Sequence, residues 1–241
     1  MKRFILLISL LAWSFSALNA QDLNAFFSDA DAFLQKYVSG GLVDYRTVKQ
    51  HRNELDELIG EMAAVDLQGK TAAEIEAFWI NAYNLTMIKS IVGHYPVKSP
   101  LDIPDVFTSE SHTVARQRIS LEIIEKQKLL AVYKDPRLHF VLVCGAKGCP
   151  PLADFAFRPE NLNAQMDQRT RKALNSSSFI RLDYGSKKAE ISQIFEWYQA
   201  DFLSQSMDIR SYINQYRNNP IPADFTITYY TYDWSLNEKK N

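Results

Sequence analysis

The chain has 241 residues, of which 46% are hydrophobic and 23% charged, and its 27 lysines and arginines nearly balance 28 acidic residues. These are the proportions of a globular protein, without the basic footprint of a nucleic-acid binder or a basic amphipathic stretch for a membrane surface. Two cysteines are too few for a disulfide-stapled scaffold, so packing must hold the core together.

Lys2 and Arg3 open the chain, Phe4 to Leu18 is almost wholly apolar, and Asn19-Ala20 precedes the polar Gln21-Asp22. This is the order of parts in a secretory signal. The apolar run falls short of the ~20 residues a spanning helix needs, and Ser9, Ser14 and Ser16 interrupt it. Cleavage after Ala20 is expected. Residues 21–241 then form a single domain, periplasmic or secreted, with no membrane span.

Phe26, Phe27, Ala30, Phe33, Leu34, Tyr37 and Val38 recur at helical spacing and stop at Gly40-Gly41. A second helix is expected over 46–65. Thr71-Ala-Ala-Glu74 reads as a capping box whose helix runs to about His94, where Pro96 forbids continuation. Ser120 is placed to cap another helix, with Glu122 near its start and Lys126 and Lys128 towards its end. Beyond the turn at Asp135-Pro136, the apolar run Phe140-Val-Leu-Val-Cys144 predicts a strand buried on both faces. Pro159 starts a helix to about Leu174. A strand pair around Gly185, helices over 193–203 and 208–216, and an alternating strand from Phe225 to Tyr232 complete the chain. Helices and strands do not alternate regularly. The fold class is therefore α+β, with helices packed on a small mixed sheet.

The segment from His139 to Leu152 is the richest in chemistry. A strand leads into a loop holding Cys144, Gly145, Lys147, Gly148 and Cys149, followed by Pro150-Pro151. The glycines permit tight turns and leave backbone N–H groups unscreened. If the prolines begin a helix, Cys149 is its N-cap, where the dipole and Lys147 lower the thiol pKa. N–H groups around Gly148 and Cys149 then face a developing oxyanion. A second reading stands beside this one. In an oxidising compartment the two cysteines form a local disulfide clasp, contributing about 2 kcal/mol in the chain-entropy model. His139 is the candidate base, although strand alternation sets it on the face opposite Cys144. His139, Cys144 and Cys149 fit no standard zinc spacing, so neither metal nor cofactor is expected.

Ala77-Phe-Trp-Ile-Asn-Ala-Tyr-Asn-Leu85 puts Asn81 and Asn84 on one apolar helix face. Buried carboxamides need partners. They either pin neighbouring backbone, which is the commoner use, or bind substrate together with Tyr83.

Phe78-Trp-Ile-Asn-Ala-Tyr-Asn84, Asp135-Pro-Arg-Leu-His-Phe140 leading into Cys144 and Cys149-Pro-Pro-Leu152, Glu196-Trp-Tyr198 and Tyr232-Asp-Trp-Ser-Leu-Asn237 together resemble the family called domain of unknown function 547. The resemblance implies a single α+β domain. It also implies a papain-like cysteine arrangement or thiol modification by glutathione, with no substrate general to the family. Carried over, the site residues are Cys149, Cys144 and His139, supported by Asn81 and Asn84. Many relatives carry a histidine where this chain has Lys126; if that residue is their base, this chain has lost it. Two functions follow. One is a thiol enzyme in which Cys149 attacks an acyl or disulfide centre with His139 as base. The other is a non-catalytic envelope-binding or scaffold domain, with a Cys144–Cys149 clasp and a groove lined by Tyr229, Tyr230, Tyr232 and Trp234.

Overall fold

The structure, a computed structural model, describes residues 22–240. The expected export signal over 1–20 lies outside them. Helix α1, Leu23–Tyr37, is capped by Asp22, whose carboxylate accepts from Asn24 N–H at 3.0 Å. Its apolar stripe is buried as the spacing predicts. The chain then reverses through Gly40 and Gly41, both at positive φ, into a hairpin of β1 (Val38–Ser39) and β2 (Leu42–Val43). Only glycine fits at 41, because a Cβ there would collide with Pro151.

The helix expected over 46–65 is two: α2, Tyr45–Gln50, and α3, Arg52–Ala64, broken at His51. The break lets Tyr45 and Val48 on one segment, and Leu55, Leu58, Ile59 and Met62 on the other, all reach the core. The capping box at Thr71 and Glu74 is present in both directions, at 3.3 and 2.8 Å. It opens α4, Ala72–His94, which is buried almost all round from Ala77 to Val92, as a central core helix should be. Among the described residues no helix is long and apolar enough to cross a membrane.

A hairpin of β3 (His112–Val114) and β4 (Gln117–Ile119) follows. Ser120 Oγ then accepts from Ile123 N–H at 3.4 Å, and a π-helix runs over Ile123–Leu130 into α5, Ala131–Tyr133. Downstream lie α6 (Leu162–Leu174), β5 (Ile180–Asp183), β6 (Lys188–Ser192), α7 (Ile194–Trp197), α8 (Gln199–Leu203), α9 (Ile209–Asn214) and β7 (Thr226–Tyr230). β5 and β6 pair antiparallel around the turn at Gly185, and β7 joins β6 in parallel. A parallel neighbour needs a crossover, and α7 to α9 form it. The small mixed sheet is therefore real, and one apolar core extends from Leu23 to Leu236.

Two expectations around the cysteines fail. Phe140–Cys144 is no strand: Pro136–Phe140 is a 3-10 helix, and Val141 to Val143 run on as buried, irregular chain. The burial was legible, but its backbone pairs with the Asn84 side chain of α4 and with the Leu138 carbonyl rather than with a sheet. Nor do Pro150 and Pro151 begin a helix; the next helical turn starts at Pro159. Cys149 is thus no N-cap and faces no helix dipole.

Candidate functional site

Cys144 and Cys149 are joined by a disulfide, with their Cα atoms 6.5 Å apart. Three contacts to the C-terminal segment shape the loop between them. Lys147 N–H donates to Ser235 C=O and Gly148 N–H to Asp233 C=O, both at 2.8 Å, and Asn237 N–H donates to Gly145 C=O at 2.9 Å. Cys149 N–H turns back to Ala146 C=O at 3.2 Å. The amides of Gly148 and Cys149, expected to face an oxyanion, are therefore spent inside the fold. Gly148 lies flat on the ring of Tyr232, where a Cβ would stand 2.8 Å from the ring carbons.

That approach brings the Tyr232 hydroxyl to both sulfurs, 2.9 Å from Cys149 Sγ and 3.3 Å from Cys144 Sγ. Cys149 Sγ also accepts from the backbone N–H of Cys144 at 3.0 Å. Tyr232 is only 6% exposed, and burial pushes its pKa well up, so it remains a proton donor at all ordinary pH. Of the two sulfurs, that of Cys144 belongs to the more open residue, because Cys149 is 8% exposed.

Both cysteines line a cavity of about 310 Å³. His139 lines it as well. Because His139 sits on a 3-10 helix, the strand alternation that would set it opposite Cys144 does not apply. Its ring packs at a tilt against Tyr198 with centroids 4.1 Å apart, and its Nε2 lies 2.8 Å from Asp201 Oδ2. That partner marks Nε2 as the protonated nitrogen of the neutral ring and leaves Nδ1 as its basic atom.

Asn81 and Asn84 turn away from this cavity. Asn84 donates to Val141 C=O and accepts from Val143 N–H, each at 2.9 Å. Asn81 donates to Phe157 C=O at 2.8 Å and accepts from Phe157 N–H at 2.9 Å. Each carboxamide replaces the sheet partner that its loop lacks, which is the backbone-pinning role. Asn84 thereby holds the approach to Cys144, and Asn81 holds the chain beyond the cysteine loop at Phe157. Tyr83, by contrast, does line the cavity.

Its hydroxyl points to a residue that sequence reasoning missed. Glu125, on the π-helix, accepts from Tyr198 OH at 3.0 Å and from Tyr83 OH at 3.4 Å. Burial together with the Glu125 charge holds the Tyr83 pKa well above normal. π-Helical turns often mark functional sites, but no local sequence signal announced this one. Lys126, beside it, is exposed and paired with Glu122 at 2.6 Å. Asp201 was also missed. Of the tail aromatics, Tyr232 and Trp234 pack with Trp197 along the cavity. Tyr230 instead packs under the Arg181 guanidinium and Tyr229 lies elsewhere, so the tail forms only half the expected groove. Among the described residues no group of three or more His, Cys, Asp or Glu side chains is placed to hold a metal ion.

Comparison with curated proteins and with solved structures found no match. Residues 67–173, from the approach to α4 through the cysteine loop to the end of α6, match the family described as "Protein of unknown function, DUF547". Trp197, Tyr198, Asp201, Tyr232 and Trp234, which complete the cavity and hold its histidine, lie beyond that match. Over residues 67–173, then, the chain is similar to the DUF547 family.

Proposed function

We propose that this protein is an exported thiol–disulfide exchange protein whose Cys144–Cys149 disulfide reacts with small thiols entering the aromatic cavity. The observation that carries this reading is the pair of hydrogen bonds converging on Cys149 Sγ from Tyr232 OH and Cys144 N–H. Donors aimed at a sulfur stabilise it most when it is a thiolate. Cys149 is accordingly the leaving sulfur and the more open Cys144 the one attacked.

An incoming thiol gives its proton to a base, for which His139 Nδ1 is the candidate. Its thiolate attacks Cys144 Sγ, the disulfide bond breaks, and the electron pair passes to Cys149 Sγ. A second thiolate attacks the outer sulfur of the mixed disulfide and displaces Cys144. In sum, two thiols and the protein disulfide give one small disulfide and the protein dithiol. The acyl-transfer form of a papain-like reaction has less support, because the amides suited to an oxyanion hole are already bonded. Export belongs to the same proposal, since an oxidising compartment installs the disulfide. N-terminal sequencing of the exported protein should begin at Gln21.

The test is mass spectrometry of the folded protein after exposure to a small thiol. The single-cysteine variants, which have no disulfide for a thiol to attack, are challenged instead with the matching small disulfide: the Cys149→Ser protein should gain a mixed disulfide on Cys144 with release of one small thiol, and Cys144→Ser should trap far less on Cys149. A disulfide that yields to thiol only once the chain is unfolded would identify a structural clasp, and the scaffold reading would take its place.

A further inference from the structure

The walls of the cavity and its charges are poorly matched to a neutral or anionic occupant. Trp197, Tyr232 and Trp234 pack mutually with ring centroids 4.8 to 6.1 Å apart and share the lining. Four ionisable side chains other than tyrosine line the same space: Glu122, Glu125, Lys126 and His139. Lys126 and Glu122 neutralise each other at 2.6 Å. His139 is held to Asp201. Glu125 is left over. Its two oxygens accept from neutral phenols only, and among the described residues no cationic side chain lies within ion-pair distance of it.

A half-buried carboxylate that is bonded to phenols, shares a cavity with indole rings and has no ion pair of its own is costly to desolvate until a cation arrives. Aromatic faces attract such a cation through the ring quadrupole, and tryptophan does so best. Inorganic ions do not suit the place, since with Glu122 committed to Lys126 the one unpaired carboxylate among rings offers too few oxygens. An organic ammonium suits both features, with its charge towards Glu125 and its methylene or methyl groups against the rings.

We infer that the cavity selects small thiols or disulfides that carry an ammonium group, with Glu125 and the Trp197–Tyr232–Trp234 wall as the cation site. This deepens the exchange reading of the cavity and rests on it. Glu125 and the aromatic wall position the substrate, and the sulfurs react.

Two measurements on the oxidised, full-length protein test it. Choline, which has no sulfur, should quench the fluorescence of Trp197 and Trp234 and bind about tenfold more tightly than its uncharged isostere 3,3-dimethylbutan-1-ol. Glu125→Gln, which keeps an acceptor for Tyr198, should remove that difference. In exchange, cysteamine should reduce the disulfide about tenfold faster per thiolate than 2-mercaptoethanol, and in Glu125→Gln the ratio of the two rates, measured on the same preparation, should fall to about one. Equal binding of choline and its isostere, or equal rates for the two thiols in the unmutated protein, would overturn the inference and leave the exchange function standing. If neither thiol reacts while the protein is folded, the exchange function itself fails and the assigned substrate class falls with it.

Discussion

Replacing Tyr232 by phenylalanine removes a single oxygen atom from the centre of the site. In the oxidised protein that oxygen lies 2.9 and 3.3 Å from two disulfide sulfurs, which are weak acceptors, and the ring that supports Gly148 stays. Loss of fold stability should therefore stay below about 1 kcal/mol. In the reduced protein the same hydroxyl donates to the sulfur expected to carry charge. Hydrogen bonds to charged groups contribute about 1.5–3 kcal/mol, and at 1.36 kcal/mol per unit the Cys149 pKa should rise by about 1–2 units. A less stable thiolate makes the dithiol harder to form. Above the thiol pKa, the reduction potential should thus fall by roughly 30–65 mV. Rates of iodoacetamide alkylation of the reduced protein across pH give the first shift, and equilibration against a glutathione or dithiothreitol couple gives the second. A pKa moving by less than about 0.3 unit, with an unchanged potential, would show that Tyr232 is packing alone and that Cys149 is not the stabilised sulfur.

Other consequences follow from single groups. Asn84→Ala leaves the C=O of Val141 and the N–H of Val143 unpaired in buried chain, so urea unfolding should show a loss of about 2–5 kcal/mol. Asn81→Ala should cost as much through Phe157, and a loss below about 1 kcal/mol for either would contradict the pinning role. Gly145 has φ of 79°, and a Cβ there would stand 2.5 Å from Ile91 Cδ1; Gly145→Ala should destabilise by about 2–4 kcal/mol, and a second change, Ile91→Val, should recover part of it. Burial, aided by the nearby Asp135 charge, pushes the Glu76 carboxyl from 4.5 up to about 7. Because the folded state then holds a proton that the unfolded chain releases, stability should decline as pH rises from about 4.5 to about 7, and Glu76→Gln should flatten that slope in pH-resolved denaturation.

Much of the scaffold was legible because its signals are local. The apolar stripe of α1, the Thr71–Glu74 box, the turn at Gly185 and the alternation before Tyr232 each specify an element within a dozen residues. Phe140 to Cys144 shows where such reading stops. Its apolar run reported burial correctly, but burial does not say what satisfies the backbone, and here the carboxamide of Asn84 on α4 does so at Val141 and Val143 in place of neighbouring strands. The cysteine loop misled for a related reason: Pro150-Pro151 permits a helix without requiring one, and the chain continues without regular structure past Gly41. The cavity was the least legible feature. It draws Tyr83, Glu125, His139 with the cysteines, Trp197 with Tyr198, and Tyr232 with Trp234 from five separated stretches, so no window of sequence contains it. Glu125 in particular looked like one more acid on the polar side of a helix.

The way the cysteine loop is held decides whether its disulfide is able to open and close. In the chain-entropy model a loop this short derives only about 2 kcal/mol from its cross-link. Set against that are the contacts of Lys147, Gly148 and Gly145 with Ser235, Asp233 and Asn237, and the anchoring of Asn237 itself, whose Oδ1 accepts from the buried Tyr45 hydroxyl at 2.7 Å. Each hydrogen bond contributes about 1 kcal/mol, and none of them involves a sulfur. Cutting the disulfide therefore leaves the two thiols beside each other and beneath Tyr232, in a loop whose shape the C-terminal segment maintains. A clasp whose removal would let the loop drift has no use for such redundancy, whereas the proposed exchange, in which a dithiol closes again onto the same geometry, would depend on it.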